Sequence, residues 1–543
     1  MRYLFSICIF YLTYLPSTAQ VDFVARLEFE AKFGESNYMT VFNKDGILGF
    51  RTVKESGLNP RQIFEMFQTD YNLNTSSLKK LPIKEGHNLI GYDTDENHFY
   101  VLFQRGNSIE GKDRYLVDLN LKSDDAKEFN ISNILNMDLK EFYVMNGKGI
   151  FMGVSESLPV IQIFDMKSGN IITTQGIYSK DTEILQLRKD QELGVFDVLI
   201  SKRDQYKVKQ VSILTFDLEG SKLREVNIGN LYDSKLEIIE GILTPFEEYQ
   251  QTLIGTFGKQ RQEAYQGIYL TEINEFGETV KKYYTLEDFE NFYNYLPEKQ
   301  RAKRIRSLEK SLKKGKIPDI KPVLSTREVI TMNDGYLVYS DLFTANNPRY
   351  YPIDGMYANS MYRASPNINT MSNGVIGSNQ ELNYINKQNM INSSLFRDGE
   401  YKFHAAQLLL LDKNGNIIWD NSLSLPSRTT TNPSKFGELS LTGDKLHFMY
   451  LEEKKLVLSY LYNGEVIFEN EKFELKLLDD MERIRETDDN GLILSWWYEN
   501  NYLLSGKQSI RYQDEEGRAK NREVFFITKV TVNGALFDPD IDQ

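Results

Sequence analysis

The sequence predicts an all-β protein, a β-propeller of seven or eight four-stranded blades, on three observations. A strand, turn, strand pattern recurs about eight times along the 543 residues. A further short apolar strand precedes each copy. With a more polar strand before that, each unit of about 45 residues holds four strands, which is the blade of a propeller; paired sandwiches need no such regular repeat.

The elements follow in chain order. The opening stretch MRYLFSICIFYLTYLPSTAQ has one positive charge at Arg2, an apolar run from Tyr3 to Leu15, then Pro16 and the small residues Ser17 and Ala19. This is the grammar of a secretory signal, so residues 1–19 are expected to be a signal peptide cut after Ala19, and residues 20–543 the propeller. Cys8, the one cysteine, lies inside that run, and Ile7 stands where a lipoprotein signal needs a small residue. A mature chain without cysteine has no disulfide, thiol catalysis or thiolate metal site. No later stretch approaches the roughly 20 apolar residues of a membrane helix, so no transmembrane segment is expected in the mature chain. The expected location is periplasmic or outer-membrane-associated, with release to the outside as the alternative.

After the signal, VDFVARLEFEAKF is a surplus strand. Its Leu27-Glu28-Phe29 resembles the outer-strand pieces AKEFNI and ENEKFEL. The copies then run through IFEMFQTDYNLNTSSLKKLPI, RYLVDLNLKSDDAKEFNI, VIQIFDMKSGNIITTQGI, VSILTFDLEGSKLREVNI and GIYLTEINEFGETVKKYYT. They continue with AQLLLLDKNGNIIWDNSLSL, whose polar turn centres on Asn414-Gly415, and LVLSYLYNGEVIFENEKFEL. The last, VFFITKVTVNG, is followed by nine residues only. A surplus at one end and a deficit at the other predict that the N-terminal strand closes the last blade, since an open sheet edge invites association. The preceding strands, such as GILGFRTV, HFYVLFQRG and KLHFMYLEE, are aromatic and β-branched, and too short for helices.

Two stretches break the period. Residues 286–322 carry helical spacing, with Ile305, Leu308 and Leu312 on one side and Arg301, Lys303, Arg304, Arg306, Lys310, Lys313 and Lys314 around them. Such a basic helix either docks on an acidic partner or an anionic membrane surface, or packs on the propeller with a solvated charged face. Residues 344–400 are the second insertion, whose stretch up to Ser394 is rich in Asn, Tyr, Met and Ser and poor in charge. A loop of that length is usually functional or disordered, and Tyr350, Tyr351, Met356, Tyr357, Met361, Tyr362 and Tyr384 make an adaptable contact surface for a protein or a sugar.

A net charge of −13 argues against nucleic acid as a partner. His87, His98, His404 and His447 have none of the close spacing of a zinc site. GVSES lacks the second glycine of a nucleophile elbow, DTDEN lacks the turn glycine and the bidentate glutamate of a calcium loop, and DPDID reads as a solvated tail. No metal, cofactor or catalytic residue is expected.

Asp412, Gly415 and Trp419, in that order, resemble a blade of the quinoprotein type, although the other copies lack the tryptophan and no cysteine pair is present. Over most of the mature chain the sequence resembles secreted bacterial β-propeller proteins at the level of fold. A fold does not give a function. The reading drawn is a non-catalytic exported scaffold that binds another cell-envelope protein, as a component of an outer-membrane transport or secretion assembly. One alternative is a carbohydrate-binding or carbohydrate-active propeller, which requires carboxylates such as Asp341 or Glu438 to converge with Trp496 or Trp497. The other is a hydrolase or oxidoreductase with a site assembled from several blades.

Overall fold

The computed structural model describes residues 20–345 and 401–533, apart from 56–60, 77, 96, 107–112, 124, 132–133, 135–136, 181, 204–208, 230, 234, 248, 260–263, 427–428, 431–434 and 489–490. The signal-like segment 1–19 and the tail DPDID lie outside the described residues, as does the insertion from residue 346 to 400. The chain is an eight-bladed β-propeller, each blade an antiparallel sheet built on a path of four strands. It divides into two compact units, Gly34–Gly437 with six blades and residues 20–33 with 438–533, which hold two.

In the larger unit, blade 1 comprises Met39–Asn43, Gly46–Lys54, Gln62–Thr69 and Lys79–Pro82. Blade 2 comprises His87–Asp95, His98–Arg105, Arg114–Asn120 and Ala126–Asn130. Blade 3 comprises Asp138–Met145, Lys148–Ser155, Leu158–Asp165 and Ile171–Thr173. Blade 4 comprises Thr182–Asp190, Val195–Arg203, Lys209–Asp217 and Lys222–Asn227. Blade 5 has a split first strand, Leu236–Ile238 and Ile242–Leu243, then Gln251–Lys259, Tyr265–Ile273 and Thr279–Thr285. Helix α1 spans Glu298–Leu312. Blade 6 comprises Val323–Met332, Gly335–Ala345, Tyr401–Asp412 and Ile417–Ser424.

The middle two strands of a blade are nearly continuous apolar runs because neighbouring sheets cover both their faces. Gln251–Lys259 is buried over eight successive residues. Outer strands such as Ala126–Asn130 are almost wholly exposed and correspondingly charged. Between blades 2 and 3 the core joins Leu102 and Leu116 to Phe142 and Phe151. Ile161, Ile163, Val198 and Phe216 fill the next gap, and Leu199, Ile213, Phe257 and Tyr269 the one between blades 4 and 5.

Polar side chains on the first strands stitch successive blades together. The Asp93 carboxylate of blade 2 accepts the Val144 N–H of blade 3 at 2.6 Å, Gln186 of blade 4 accepts the Leu243 N–H of blade 5 at 2.9 Å, and Glu240 of blade 5 accepts the Thr326 N–H of blade 6. A buried strand N–H without an acceptor would be destabilising, so each acceptor both satisfies a backbone group and fixes the neighbouring blade. The first strand of blade 5 bends at residues 239–241 over Gly255, where any Cβ would lie 2.1 Å from the Glu240 carbonyl oxygen.

In the smaller unit, blade 7 comprises Glu438–Thr442, Lys445–Glu452, Lys455–Tyr462 and Glu465–Glu474. Blade 8 is ordered Arg483–Thr487, Asn501–Gln513, Ala519–Asn533 and, as its outer strand, Gln20–Glu30, while Ile493–Tyr498 also pairs with Asn501–Gln513. Gln20–Glu30 runs antiparallel to Ala519–Asn533, with Leu27 opposite Ile527. Val21 joins a core of Leu458, Tyr460, Tyr502, Phe526 and Val530. Glu438 repeats the stitching seen in the larger unit, accepting the Trp496 N–H at 3.3 Å.

Candidate functional site

The first strand-free segment between blades 5 and 6, LEDFENFYNYLP from Leu286 to Pro297, explains how α1 is held. Leu286, Phe289 and Phe292 are buried. The outer strand of blade 6 offers Asp420, Asn421 and Ser422 to this segment. Asp420 accepts the N–H groups of Glu290 and Asn291 at 3.0 and 2.9 Å, Asn294 donates to Asn421 at 3.0 Å, and the Tyr295 N–H donates to the Ser422 hydroxyl at 3.0 Å. Gln407 donates to the Phe292 carbonyl at 3.1 Å. A sheet edge is thereby covered, which removes an open row of pairing groups. Burial raises the Asp420 carboxyl against the lowering effect of the two N–H donors. Ile268, Leu324 and the Phe289 and Phe292 rings line a cavity of about 10 Å³ beside Asp420, room for one water at most.

The helix starts at Pro297, whose fixed φ suits a helix entrance and whose carbonyl accepts the Gln300 and Arg301 N–H groups at 2.8 and 2.9 Å. It ends at Leu312, and the chain turns away at Gly315, which takes φ +66°, with the Gly315 and Lys316 N–H groups donating to the Leu312 and Ser311 carbonyls at 2.8 and 3.1 Å. The return is pinned as well. Ile320 bridges to Tyr265 of blade 5, its N–H donating at 2.8 Å, and Asp319 pairs with Lys259 at 2.6 Å.

Between these anchors α1 buries no residue at all. Lys303, Arg304, Arg306 and Lys310 are exposed on the helix, and Lys313 and Lys314 just beyond it. Arg301 is set apart from them. It is half-buried and donates to Asn294 at 3.2 Å, tying the helix to its own anchor. Burial raises the hydroxyls of Tyr293 and Tyr295, the second to about 12, while Arg304 acts in the opposite direction. Lys299, absent from the set read from the sequence, is exposed in line with Lys303. The signal for it is an i, i+4 spacing that begins one turn before the densest run of charge. Tyr350, Tyr351, Met356, Tyr357, Met361, Tyr362 and Tyr384 lie outside the described residues.

The carboxylates considered for carbohydrate chemistry are engaged elsewhere. Asp341 is fully buried, paired with Arg327 at 2.8 Å, and accepts the Tyr339 hydroxyl at 2.6 Å and the Phe436 N–H at 3.2 Å. Beside it Glu328 and Lys435 form a second buried pair at 2.8 Å. Glu438 holds a backbone N–H, as described, and Trp497 is buried while Trp496 is half-buried. Asp93, the first residue of DTDEN, has no exposed face for a calcium ion. Lys189 of blade 4 reaches it at 2.9 Å past the Val144 and Thr94 carbonyls, to which it also donates. Burial raises the Asp93 carboxyl, and Lys189 opposes this.

The histidines are held separately. The His98 Nδ1 lies 2.6 Å from Asp118 and its ring stacks on Tyr100, His404 meets the Thr344 hydroxyl at 3.0 Å, and His87 packs edge-on to Tyr115. His447 is 1% exposed, stacks on Tyr460, and neither ring nitrogen has a partner among the described residues. Burial, with Lys445 adding to it, pushes its imidazole down to about 4. Among the described residues no three His, Cys, Asp or Glu side chains gather as metal ligands would, and no helix is long and apolar enough to cross a membrane.

No family model matches the chain, and no curated protein matches it in sequence. Solved structures match in fold. The β-propeller domain of the Trilobed protease from Pyrococcus furiosus is 10% identical, with a TM-score of 0.32 over 81% of this chain and 96% of that one. The polysaccharide lyase Uly1 is 9% identical, with a TM-score of 0.36 over 82% and 90%. The acylaminoacyl peptidase of Pyrococcus horikoshii is 9% identical, with a TM-score of 0.32 over 80% of this chain and 52% of that one. These are likenesses of architecture, and the activities in those names belong to those proteins.

Proposed function

We propose that this protein is a non-catalytic, exported propeller scaffold that binds another protein of the cell envelope, with α1 as a contact surface. One observation carries the reading: the helix is fixed at both ends by buried polar anchors yet buries none of its own residues. A short helix left in water is marginally stable by itself, so holding one in this way presents a preformed surface. Its basic character stands against a chain of net charge −13, which supports attraction of an acidic partner to this helix and not to the rest of the molecule. A transport or secretion assembly of the outer membrane is the setting this reading favours.

The test is capture in the native host from cross-linked envelope material. Tagged full-length protein is expected to retain one partner in stoichiometric amount, and a variant with Lys303, Arg306 and Lys310 changed to glutamate is expected to lose most of it. A parallel variant lacking residues 345–394 reports whether the Tyr- and Met-rich insertion shares the contact. Recovery of the wild type as a monomer without a partner would remove the scaffold reading and turn attention to glycan and substrate screens.

A further inference from the structure

The distribution of charge around α1 narrows the partner. At about 100° per residue, Lys299, Lys303, Arg306 and Lys310 fall within one narrow strip of the helix, at i, i+4, i+7 and i+11, and no other residue of the helix shares that strip. All four are exposed, and among the described residues none forms an ion pair. The opposite face carries Arg301, Leu308 and Leu312, all half-buried. The strip therefore points away from the body of the protein. Like charges one turn apart destabilise a helix, so apart from Lys310, whose charge suits the last turn, the local energetics of α1 do not favour this row.

We propose that this strip binds an acidic helical segment of a partner protein, one whose carboxylates recur at the same i, i+4, i+7 spacing. The inference rests on the scaffold reading. Four cations spread over about 16 Å match a second helix whose glutamates repeat every 4.5 to 6 Å, since both rows follow the same helical rise. An anionic bilayer fits less well. A helix that lies in a membrane interface buries a broad apolar face, whereas here Leu308 and Leu312 are already half-buried and Ile305, 38% exposed, is the one large apolar residue of α1 left open to solvent. Nucleic acid would have to approach a molecule that is strongly negative elsewhere.

The test uses the full chain and a fluorescent 20-residue helical peptide with glutamate at i, i+4, i+7 and i+11, followed by anisotropy. Saturable binding is expected, weakening steeply between 50 and 300 mM salt, and at least tenfold weaker in a variant with the four strip residues changed to glutamine. Arg304→Gln, off the strip, is expected to change it less than threefold. Circular dichroism and melting of the variants guard against misfolding, which exposed substitutions are not expected to cause. Equal binding by the wild type and the strip variant would overturn the proposal. So would tighter binding to vesicles of mixed phosphatidylglycerol and phosphatidylcholine than to the peptide. If the peptide fails while a stoichiometric envelope partner is still retained, this inference falls and the scaffold stands; if no partner is retained either, both fall.

Discussion

A single imidazole sets an acid limit on the smaller unit. His447 is buried neutral on the second strand of blade 7, its nitrogens without partners among the described residues, and its carbonyl accepts the Tyr502 hydroxyl of blade 8 at 3.1 Å. Its folded-state value of about 4 lies below the ordinary 6.5, so the unfolded chain takes up the proton first as pH falls. Stability present above pH 6.5 is therefore lost progressively down to pH 4, by about 3 kcal/mol in all. His447→Phe keeps a ring against Tyr460 and removes the titration. Denaturant unfolding at pH 7 and 4.5, followed by tryptophan fluorescence, should show the wild type losing about 2 to 3 kcal/mol more than the variant; parallel profiles would refute the assignment. A second residue-scale prediction concerns the sealed pair in blade 6. Arg327→Met leaves the Asp341 carboxylate buried without its cation, which is expected to cost about 3 to 5 kcal/mol. Asp341→Asn in that background should restore part of the loss, because the amide carries no charge. If the second change restores nothing, the pair is not what Arg327 contributes. Neither site was legible in the sequence: Asp341 and Glu438 read as free carboxylates there because nothing in a linear pattern shows that Arg327 or a backbone N–H will occupy them.

At the scale of elements, the recurring turn explains why the repeat was visible at all. In six blades the corner between the third and fourth strands opens with Asp or Asn, whose side chain accepts N–H groups two to four residues on: Asp70, Asn120, Asp165, Asp217, Asn274 and Asp412; in blade 8 Asp514 does the same between the second and third strands. Blade 7 uses the Asn463-Gly464 pair instead, at φ +48° and +81°. The turn at Asn414-Gly415, which from sequence looks like a two-residue hairpin, is one of the longer corners, with Asp412 accepting the Asn416 N–H at 2.7 Å. Asx corners are a local signal, so sequence carries them directly. Asp217→Ala removes acceptors for the Glu219 and Ser221 N–H groups, at 2.9 and 2.7 Å, and is expected to cost about 1 kcal/mol without change of fold. A loss several times larger, measured by thermal melting, would mean that the corner holds more than its own turn. The helix was legible as amphipathic and basic. Which of its cations face solvent was not, because that depends on the Asp420, Asn421 and Ser422 anchors, about 130 residues away in sequence.

For the whole molecule, the count of strands at the two ends matters more than any one contact, because blade 8 is assembled from both. The sequence shows a surplus strand at the start and a deficit at the end, but not the register or the polar contacts that hold them together. Arg26 of the outer strand lies over the Phe526 ring at 4.3 Å and donates to Gln508 and Thr528 at 2.9 and 3.1 Å, reaching across two strands of the blade. Glu28 pairs with both Arg26 and Arg522, at 2.7 and 2.9 Å. Deleting residues 20–30 would uncover the edge of Ala519–Asn533, a 15-residue strand with a buried run from Val524 to Thr528. A long apolar edge pairs with whatever strand it meets, so the truncated chain is expected to associate, whereas the full chain does not through this edge. Light scattering after gel filtration should show concentration-dependent oligomers for the truncation. Adding back a synthetic peptide of residues 20–30 should reverse them, because it restores the missing strand in trans. Arg26→Ala retains the backbone ladder and loses only the side-chain clasp, so it should lower the melting temperature without causing association. If the truncated chain stays monomeric and melts like the wild type, closure of blade 8 by its N-terminal strand is not what keeps that edge from associating, and the protection must come from the strand's own charges at Lys520, Arg522 and Glu523.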